Sequence, residues 1–276
     1  MRGAFPARGL TFSSGTWQER FADWGWRDFD ALWRLDAETV EPTNVRRGGW
    51  SSVVRFEAPD GSAFYLKRQE DHDFRTWRGG LRRVPTVLRE WQVGIDFRRL
   101  GIDTAEPVCV GLDDSDRSRG LLVTVALDRH TSLSDVLEHG GVQGDDRRAL
   151  WWALADAVRR IHDAGYRHNC LYGQHVFVLR TDSGWQCCFI DLEKASTTRR
   201  RRRAVIADLS ALDRHTDDMS TRDRQWLWDR YFQDLPLAAR RSLLRVLAKR
   251  SALRGVDQYI RDCASGRRGD HARAAS

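Results

Sequence analysis

The stretch IHDAGYRHNCLYGQHVFV, residues 161–178, contains a helix end, a polar loop and the start of a strand. Gly165 ends a helical pattern, and a short apolar strand is expected to begin at His175. Between them lie His168, Asn169 and Cys170. Side chains on a loop held between two regular elements are well placed for chemistry, so this segment is the first candidate for a catalytic loop.

The sequence on both sides of this loop predicts helices and one further hairpin. Residues 146–165 predict a long buried helix, and residues 132–137 begin the helical pattern before it. The hairpin follows the loop, with its turn at Asp182-Ser183-Gly184. From Ile206 to Cys263 the chain is predicted to be helical.

The N-terminal half reads mainly as strands. Residues 52–57 and 63–68 flank Pro59-Asp60-Gly61 and predict a hairpin. A helix follows Pro85 and stops at Gly101, and two further short strands come after it. Strands first, one helix among them, then mostly helices: this order predicts an α+β fold with a small β-rich N-terminal lobe and a larger helical C-terminal lobe.

Domain boundaries follow from these patterns. Residues 1–44 are expected to form an N-terminal extension with an amphipathic helical lead-in at 17–40. The N-lobe is placed at 45–127 and the C-lobe at 128–263, and residues 264–276 are expected to be disordered because they lack apolar side chains. The charged segment 71–84 is expected to be a mobile connection.

Composition limits the class of protein. An apolar content of 41% supports a packed globule, and no run of about 18 apolar residues predicts a membrane span. The start lacks the apolar region of a secretory signal, and the five cysteines include no CxxC pair. We therefore expect a reducing, cytoplasmic location. The net charge of +7 favours anionic partners, including a peripheral contact with the inner face of the inner membrane.

The chain contains 46 lysines and arginines, and only three of them are lysines. Lys67 is one of these three. It lies in the second strand of the first hairpin, and Glu90 lies in the following helix. A strand lysine and a glutamate on the next helix can meet as an ion pair, as they do in protein kinases. A solvated strand end is the alternative for Lys67. Gly48 and Gly49 precede this hairpin and form either a phosphate-covering loop or an ordinary turn.

Asp191 is delivered to a strand end by the apolar residues of FIDLEK, residues 189–194. A carboxylate there can bind Mg²⁺ through a hard oxygen. In protein kinases the corresponding motif is D-F-G, and Glu193 replaces its glycine, which argues against a flipping activation segment. The alternative for Asp191 is a simple cap at a strand end.

Six stretches together resemble the lipopolysaccharide kinase family, the InaA-like and heptose-kinase-like branch of the protein-kinase-like superfamily. They are FYLKRQ, PTVLREWQVGIDFRRLGIDTAEPVCVG, LLVTVALDRHTSLSDVL, IHDAGYRHNCLYGQHVFV, FIDLEKA and ADLSAL, within residues 45–235. The resemblance implies a two-lobed kinase fold and ATP-dependent phosphorylation of a lipopolysaccharide core sugar, with heptose as the expected acceptor.

The resemblance also implies residue roles. It assigns nucleotide binding to Lys67 and Glu90, and it assigns Asp191 and His175 to Mg²⁺, with His175 standing where kinases have asparagine. Asp208 would brace the catalytic loop.

The departure is Cys170, which stands where the kinase loop H-R-D-L-x-x-x-x-N has its base aspartate. A neutral thiol cannot accept a proton as a carboxylate does. His168 is a candidate for a displaced base, and the alternative is a histidine that braces the loop from below.

Two other functions stay open. A pseudokinase would bind nucleotide or act as a scaffold, having lost catalysis through Cys170. A basic RNA-binding domain is disfavoured, because the arginine run 199–203 has no aromatic residues between its cations. That run either receives an anionic glycolipid acceptor or is a solvated loop.

Overall fold

A computed structural model of the chain describes residues 9–46, 48–75, 83–113 and 118–251. The chain divides into two units by contact: Met1–Arg129 with Phe189–Ala195, and His130–Cys188 with Ser196–Ser276. The residues assigned to an N-terminal extension, and the segment that contains Asp191, therefore group with the first unit. The predicted C-terminal tail lies outside the described residues.

The first unit is built on a six-stranded antiparallel sheet. Its elements in chain order are β1 (Gly9–Phe12), α1 (Gly15–Asp23), α2 (Phe29–Trp33), β2 (Asn44–Arg46), β3 (Gly49–Glu57), β4 (Ala63–Glu70), β5 (Asp73–Arg75), β6 (Arg83–Pro85), α3 (Thr86–Arg99), β7 (Pro107–Leu112) and β8 (Arg119–Val125). The strand order is β1-β7-β8-β4-β3-β2, so β4 is an inner strand.

The predicted hairpin is confirmed as β3 and β4, which pair from Trp50↔Glu70 to Glu57↔Ala63. Gly61 has a φ of 82°, a left-handed conformation that glycine adopts without strain, and it closes the turn. The Ala58 N–H donates to the carbonyl of Ser62 at 2.8 Å across that turn.

The N-terminal segment differs from the single helical lead-in predicted at 17–40. It forms two short helices, capped by Ser14 and Asp28, whose side chains accept backbone N–H groups of the first turn. Phe21 and Phe29 are buried in a hydrophobic cluster that also contains Phe64. The segment also contributes β1, which pairs with β7.

Helix α3 confirms the predicted helix and its stop at Gly101, whose φ is 68°. Val87 and Trp91 pack against Val110 and Leu122 of the sheet. A Cβ at Gly94 would lie 2.8 Å from the Pro107 side chain, so glycine lets the helix approach β7 closely. This packing places α3 on the sheet that carries Lys67.

Segment 71–84, predicted to be a mobile connection, contains regular structure at both ends. Strands β5 and β6 pair antiparallel, with Asp73 opposite Pro85. Residues 76–82 lie outside the described residues.

The second unit is mainly helical. Its elements are β9 (Thr131–Ser132), α4 (Leu133–Glu138), α5 (Gly144–Asp163), β10 (Tyr166–Arg167), β11 (Val176–Thr181), β12 (Gly184–Phe189), β13 (Ser196–Thr197), α6 (Arg201–Arg214), α7 (Thr221–Tyr231) and α8 (Leu237–Ser251). The second predicted hairpin is confirmed as β11 and β12, which are neighbours in a three-stranded sheet.

The predicted order of strands followed by helices is therefore confirmed as an α+β architecture. Within the described ranges, no helix is long and apolar enough to cross a membrane.

Candidate active site

Lys67 lies in the middle of β4, opposite Val53 on β3 and opposite Leu122 on β8. Its side chain is 16% exposed, so the ammonium is largely removed from water. A lysine in this position requires paired carboxylates, because an isolated buried charge is costly. A solvated strand end, the alternative considered from sequence, does not fit this burial.

Three carboxylates of the first unit surround the Lys67 ammonium. Its Nζ donates to Glu90 Oε2 at 2.8 Å and to Glu193 Oε2 at 3.2 Å. Asp191 Oδ1 lies 3.8 Å from the same nitrogen. The ion pair of Lys67 with Glu90 that the sequence predicted is therefore present, and Asp191 lies beside it.

The charged groups of this cluster change one another's pKa values. Burial alone would lower the pKa of Lys67, but the charges of Glu90, Glu193 and Asp191 outweigh it and raise the pKa. Burial raises the pKa of Glu90 in spite of the lysine. The pKa of Glu193 is lowered, because Lys67 more than offsets the effect of burial. Lys67 is therefore a permanent cation near neutral pH.

Asp191 and Glu193 are presented by the end of β12. The backbone N–H of Phe189 donates to the carbonyl of Asp103 at 3.0 Å, and the Thr104 hydroxyl donates to the Phe189 carbonyl at 2.7 Å. Asp191 then has a left-handed backbone, with φ 55° and ψ 56°, before a short 3-10 turn at Leu192–Lys194. Aspartate is among the few non-glycine residues that tolerate this conformation.

The same carboxylates could hold a divalent cation. Glu90, Asp191 and Glu193 each offer an oxygen atom, and these atoms lie within 4.8 Å of one another. Carboxylate oxygens are the hard ligands that Mg²⁺ prefers. Because Glu90 and Glu193 already accept hydrogen bonds from Lys67, Asp191 is the carboxylate of this set best placed to bind the ion.

Gly48 and Gly49 lie at the β2–β3 connection. Gly48 has a φ of 88°, and a Cβ at Gly49 would lie 2.4 Å from the backbone oxygen of Asp71. Both positions thus have a structural reason for glycine. A phosphate-covering role for these residues stays a prediction.

In the second unit, the loop at 168–175 is anchored by Asp208 of α6. Asp208 accepts the backbone N–H of His168 at 2.7 Å and that of Asn169 at 2.9 Å. Its Oδ2 also lies 3.2 Å from Nε2 of His162. Burial raises the pKa of Asp208, but these hydrogen bonds and the nearby histidines keep it below its usual range. The carboxylate braces the loop, as the resemblance implied.

His168 and Cys170 are both buried, with exposed fractions of 0% and 1%. The Cys170 backbone N–H donates to Nδ1 of His168 at 3.3 Å. This contact lies inside the loop, and the ring is completely buried. The geometry therefore favours the bracing interpretation of His168 over the displaced base.

His175 lies at the end of a 3-10 turn at Gly173–His175. Its Nδ1 lies 2.9 Å from the carbonyl of Cys170, and the ring stacks on Tyr172 at 5.1 Å. A bond from Nδ1–H to that carbonyl makes Nε2 an acceptor, and the side-chain amide nitrogen of Gln174 lies 3.2 Å from it. Metal binding by Asp191 and His175 together stays a prediction.

The contact of Glu193 with Lys67 was not predicted from sequence. The available signal was the replacement of the kinase glycine by an acidic residue directly after Asp191-Leu192. That signal indicates a restriction on movement but not an ion pair, because a sequence does not show which cation a carboxylate meets.

Comparisons with known proteins identify relatives of this chain by sequence and by fold. The sequence profile described as "Lipopolysaccharide kinase (Kdo/WaaP) family" matches residues 30–231. Protein InaA of Escherichia coli (strain K12) is 29% identical over 200 residues, which cover 71% of this chain and 91% of that protein. The solved structure "WaaP in complex with acyl carrier protein" is similar to this chain with a TM-score of 0.63 and 24% sequence identity. The match covers 92% of this chain and 98% of the chain in that structure. The predicted protein-kinase-like fold is thereby confirmed.

Proposed function

Because the chain belongs to the lipopolysaccharide kinase (Kdo/WaaP) family, we propose that it transfers the γ-phosphate of ATP to a sugar hydroxyl of the lipopolysaccharide core, with heptose as the acceptor sugar. Membership of a kinase family indicates phosphotransferase activity and the use of ATP. The acceptor sugar, the metal and the residue roles are parts of the proposal.

One observation carries the proposal: the buried Lys67 ammonium, with Glu90 at 2.8 Å and Asp191 at 3.8 Å. In this proposal Lys67 binds oxygens of the α and β phosphates, and Glu90 orients Lys67. Asp191 would hold Mg²⁺, which would neutralise part of the phosphate charge when bound. Positioning and charge neutralisation supply most of the catalysis in phosphoryl transfer.

The acceptor hydroxyl needs orientation more than a strong base, since the transition state is loose. This permits turnover although His168 and Cys170 are buried. We assign the exposed arginines of the run 199–203 to the anionic groups of the acceptor, and we place the protein in the cytoplasm at the inner face of the inner membrane.

The test is phosphate transfer from ATP to purified lipopolysaccharide core. Lys67→Met and Asp191→Asn should each reduce the rate at least about a hundredfold, because each removes a charge that stabilises the transferring phosphate. Lys249→Met, at an exposed position on α8, is the matched control and should keep the wild-type rate. A core truncated before the heptose should not be phosphorylated, and transfer to it would contradict the heptose assignment.

The burial of Cys170 favours a second candidate function, a pseudokinase that binds nucleotide without turnover. In that case Mg²⁺ and ATP would raise the unfolding temperature of the wild type, but not of Lys67→Met, and no acceptor would be phosphorylated.

A further inference from the structure

The Lys67 ammonium has two glutamate partners that are buried to the same extent. Glu90 and Glu193 are 15% and 14% exposed, and both lie within hydrogen-bond distance of the same Nζ atom. Glu90 comes from α3, whereas Glu193 comes from the turn after β12. A lysine held from two elements keeps its position better than a lysine held from one, because loss of either partner leaves a charge-assisted hydrogen bond in place.

Two further side chains of helix α3 contact Glu193, one at its backbone carbonyl and one at its carboxylate. The Arg89 guanidinium donates to the backbone oxygen of Glu193 at 3.3 Å. The Thr86 hydroxyl at the start of the same helix lies 3.5 Å from Glu193 Oε2. The turn that contains Glu193 is thus fixed to the helix that carries Glu90, and Lys67 lies between the two carboxylates.

Glu193 follows Asp191 by two residues and lies in the turn that begins directly after it. Fixing the Glu193 side chain on Lys67 therefore also fixes the distance between Asp191 and Lys67. A glycine at this position, as in the kinase D-F-G motif, has no side chain that could make this contact.

We propose that Glu193 is a positioning residue that shares Lys67 with Glu90 and ties Asp191 to the lysine; this inference rests on the proposed function of the site. Either carboxylate then holds Lys67 in part when the other is lost. Loss of either one alone has a small effect on nucleotide binding, and loss of both has a large one.

The test compares Glu90→Gln, Glu193→Gln and the double variant, since glutamine keeps the size and removes the charge. The dissociation constant of Mg²⁺ with a non-hydrolysable ATP analogue is measured for each protein. Glu193→Gln should raise this dissociation constant less than about threefold when it is introduced into the wild type. In the Glu90→Gln background the same substitution should raise it more than about tenfold, a coupling expected for residues that share a partner. Glu57→Gln, at an exposed position on β3, is the matched control.

The Lys67 ammonium can be observed directly because the chain has only three lysines, so ¹⁵N spectra of the lysine ammonium groups contain at most three signals. Lys67→Arg identifies the signal of Lys67. Exchange of its protons with water should increase slightly in each single variant and at least about tenfold in the double variant, as the ammonium loses its partners. Glu193→Asp in the Glu90→Gln background should recover part of the protection.

These two measurements separate the possible failures. Equal effects of Glu193→Gln in both backgrounds, or loss of the Lys67 signal in Glu90→Gln alone, would overturn the role of Glu193. The spectra need no nucleotide. A wild type that does not bind the ATP analogue but shows the predicted spectra would therefore refute the proposed function and the nucleotide role, while retaining the contact of Glu193 with Lys67.

Discussion

At the scale of single residues, Cys170 distinguishes the loop at 168–175 from that of active protein kinases. Because its side chain is 1% exposed, we expect Cys170→Asp to lower the free energy of unfolding by about 3 kcal/mol, the cost of an unpaired buried charge. Cys170→Ala should cost only about 1 kcal/mol. Urea unfolding of the three proteins checks both values.

The same two variants test the catalytic meaning of this position. Neither substitution should increase phosphate transfer, since Cys170 is buried. A Cys170→Asp protein that is as stable as the wild type and transfers phosphate faster would contradict the burial argument. It would show that the thiol occupies a working base position.

Sequence reasoning identified Lys67, Glu90 and Asp191 because each has a distinct local context: a rare lysine on a strand, an acid on the next helix and an aspartate after three apolar residues. It left two interpretations open for His168, because only the fold shows that this ring is buried. Glu193 was missed as a partner of Lys67, which lies 126 residues away in the chain.

At the scale of elements, the hairpins and α3 could be predicted because their signals are local: turn residues, strand-forming residues and glycine stops. Strand β1 could not be predicted. It has four residues, and its pairing with β7 joins Gly9 to Leu112. The predicted helical lead-in became two helices because capping at Asp28 and burial of Phe29 start a second helix.

Helix α6 begins with cations, against the usual preference for acidic residues at a helix N-terminus. Arg202 and Arg203 lie in its first turn, which has no acidic residue and no side-chain cap. We expect Arg202→Glu and Arg203→Glu each to raise the free energy of unfolding by about 0.5 kcal/mol, because a carboxylate interacts favourably with the helix dipole there. Urea unfolding at low salt measures the change.

Arg214 is the matched control, since it is an exposed arginine in the last turn of the same helix, where a cation is favourable. Arg214→Glu should therefore lower stability by a similar amount. All three effects should shrink at about 1 M salt, where charges on the surface are screened. A stability gain at Arg214 that equals the gain at Arg202 would mean that reduced net charge, and not the dipole, is responsible.

At the scale of the whole molecule, buried carboxylates stabilise the folded chain in their ionised form. Asp208 braces the loop at 168–175. Asp223 completes the capping box of α7 with Ser220 and bonds Arg147 at 2.7 Å. Burial raises the pKa of Asp223, but the Arg147 and Ser220 hydrogen bonds outweigh it, so the pKa is lowered, as it is in Asp208. Protonation of these groups must therefore accompany acid unfolding.

The sign of the pH dependence follows from these lowered pKa values. The unfolded chain binds protons at about pH 4, the ordinary aspartate value, while the folded carboxylates stay ionised. The stability that they provide is complete above about pH 4 and is lost as the pH falls through the lower folded pKa. We expect the free energy of unfolding to fall in this window by up to about 1.4 kcal/mol per pH unit for each group.

Asp223→Asn should be less stable than the wild type at pH 7, and its free energy of unfolding should depend less on pH below 4. Asp217→Asn, at an exposed position, should follow the wild-type curve, and equal acid slopes in all three proteins would show that other carboxylates control acid unfolding.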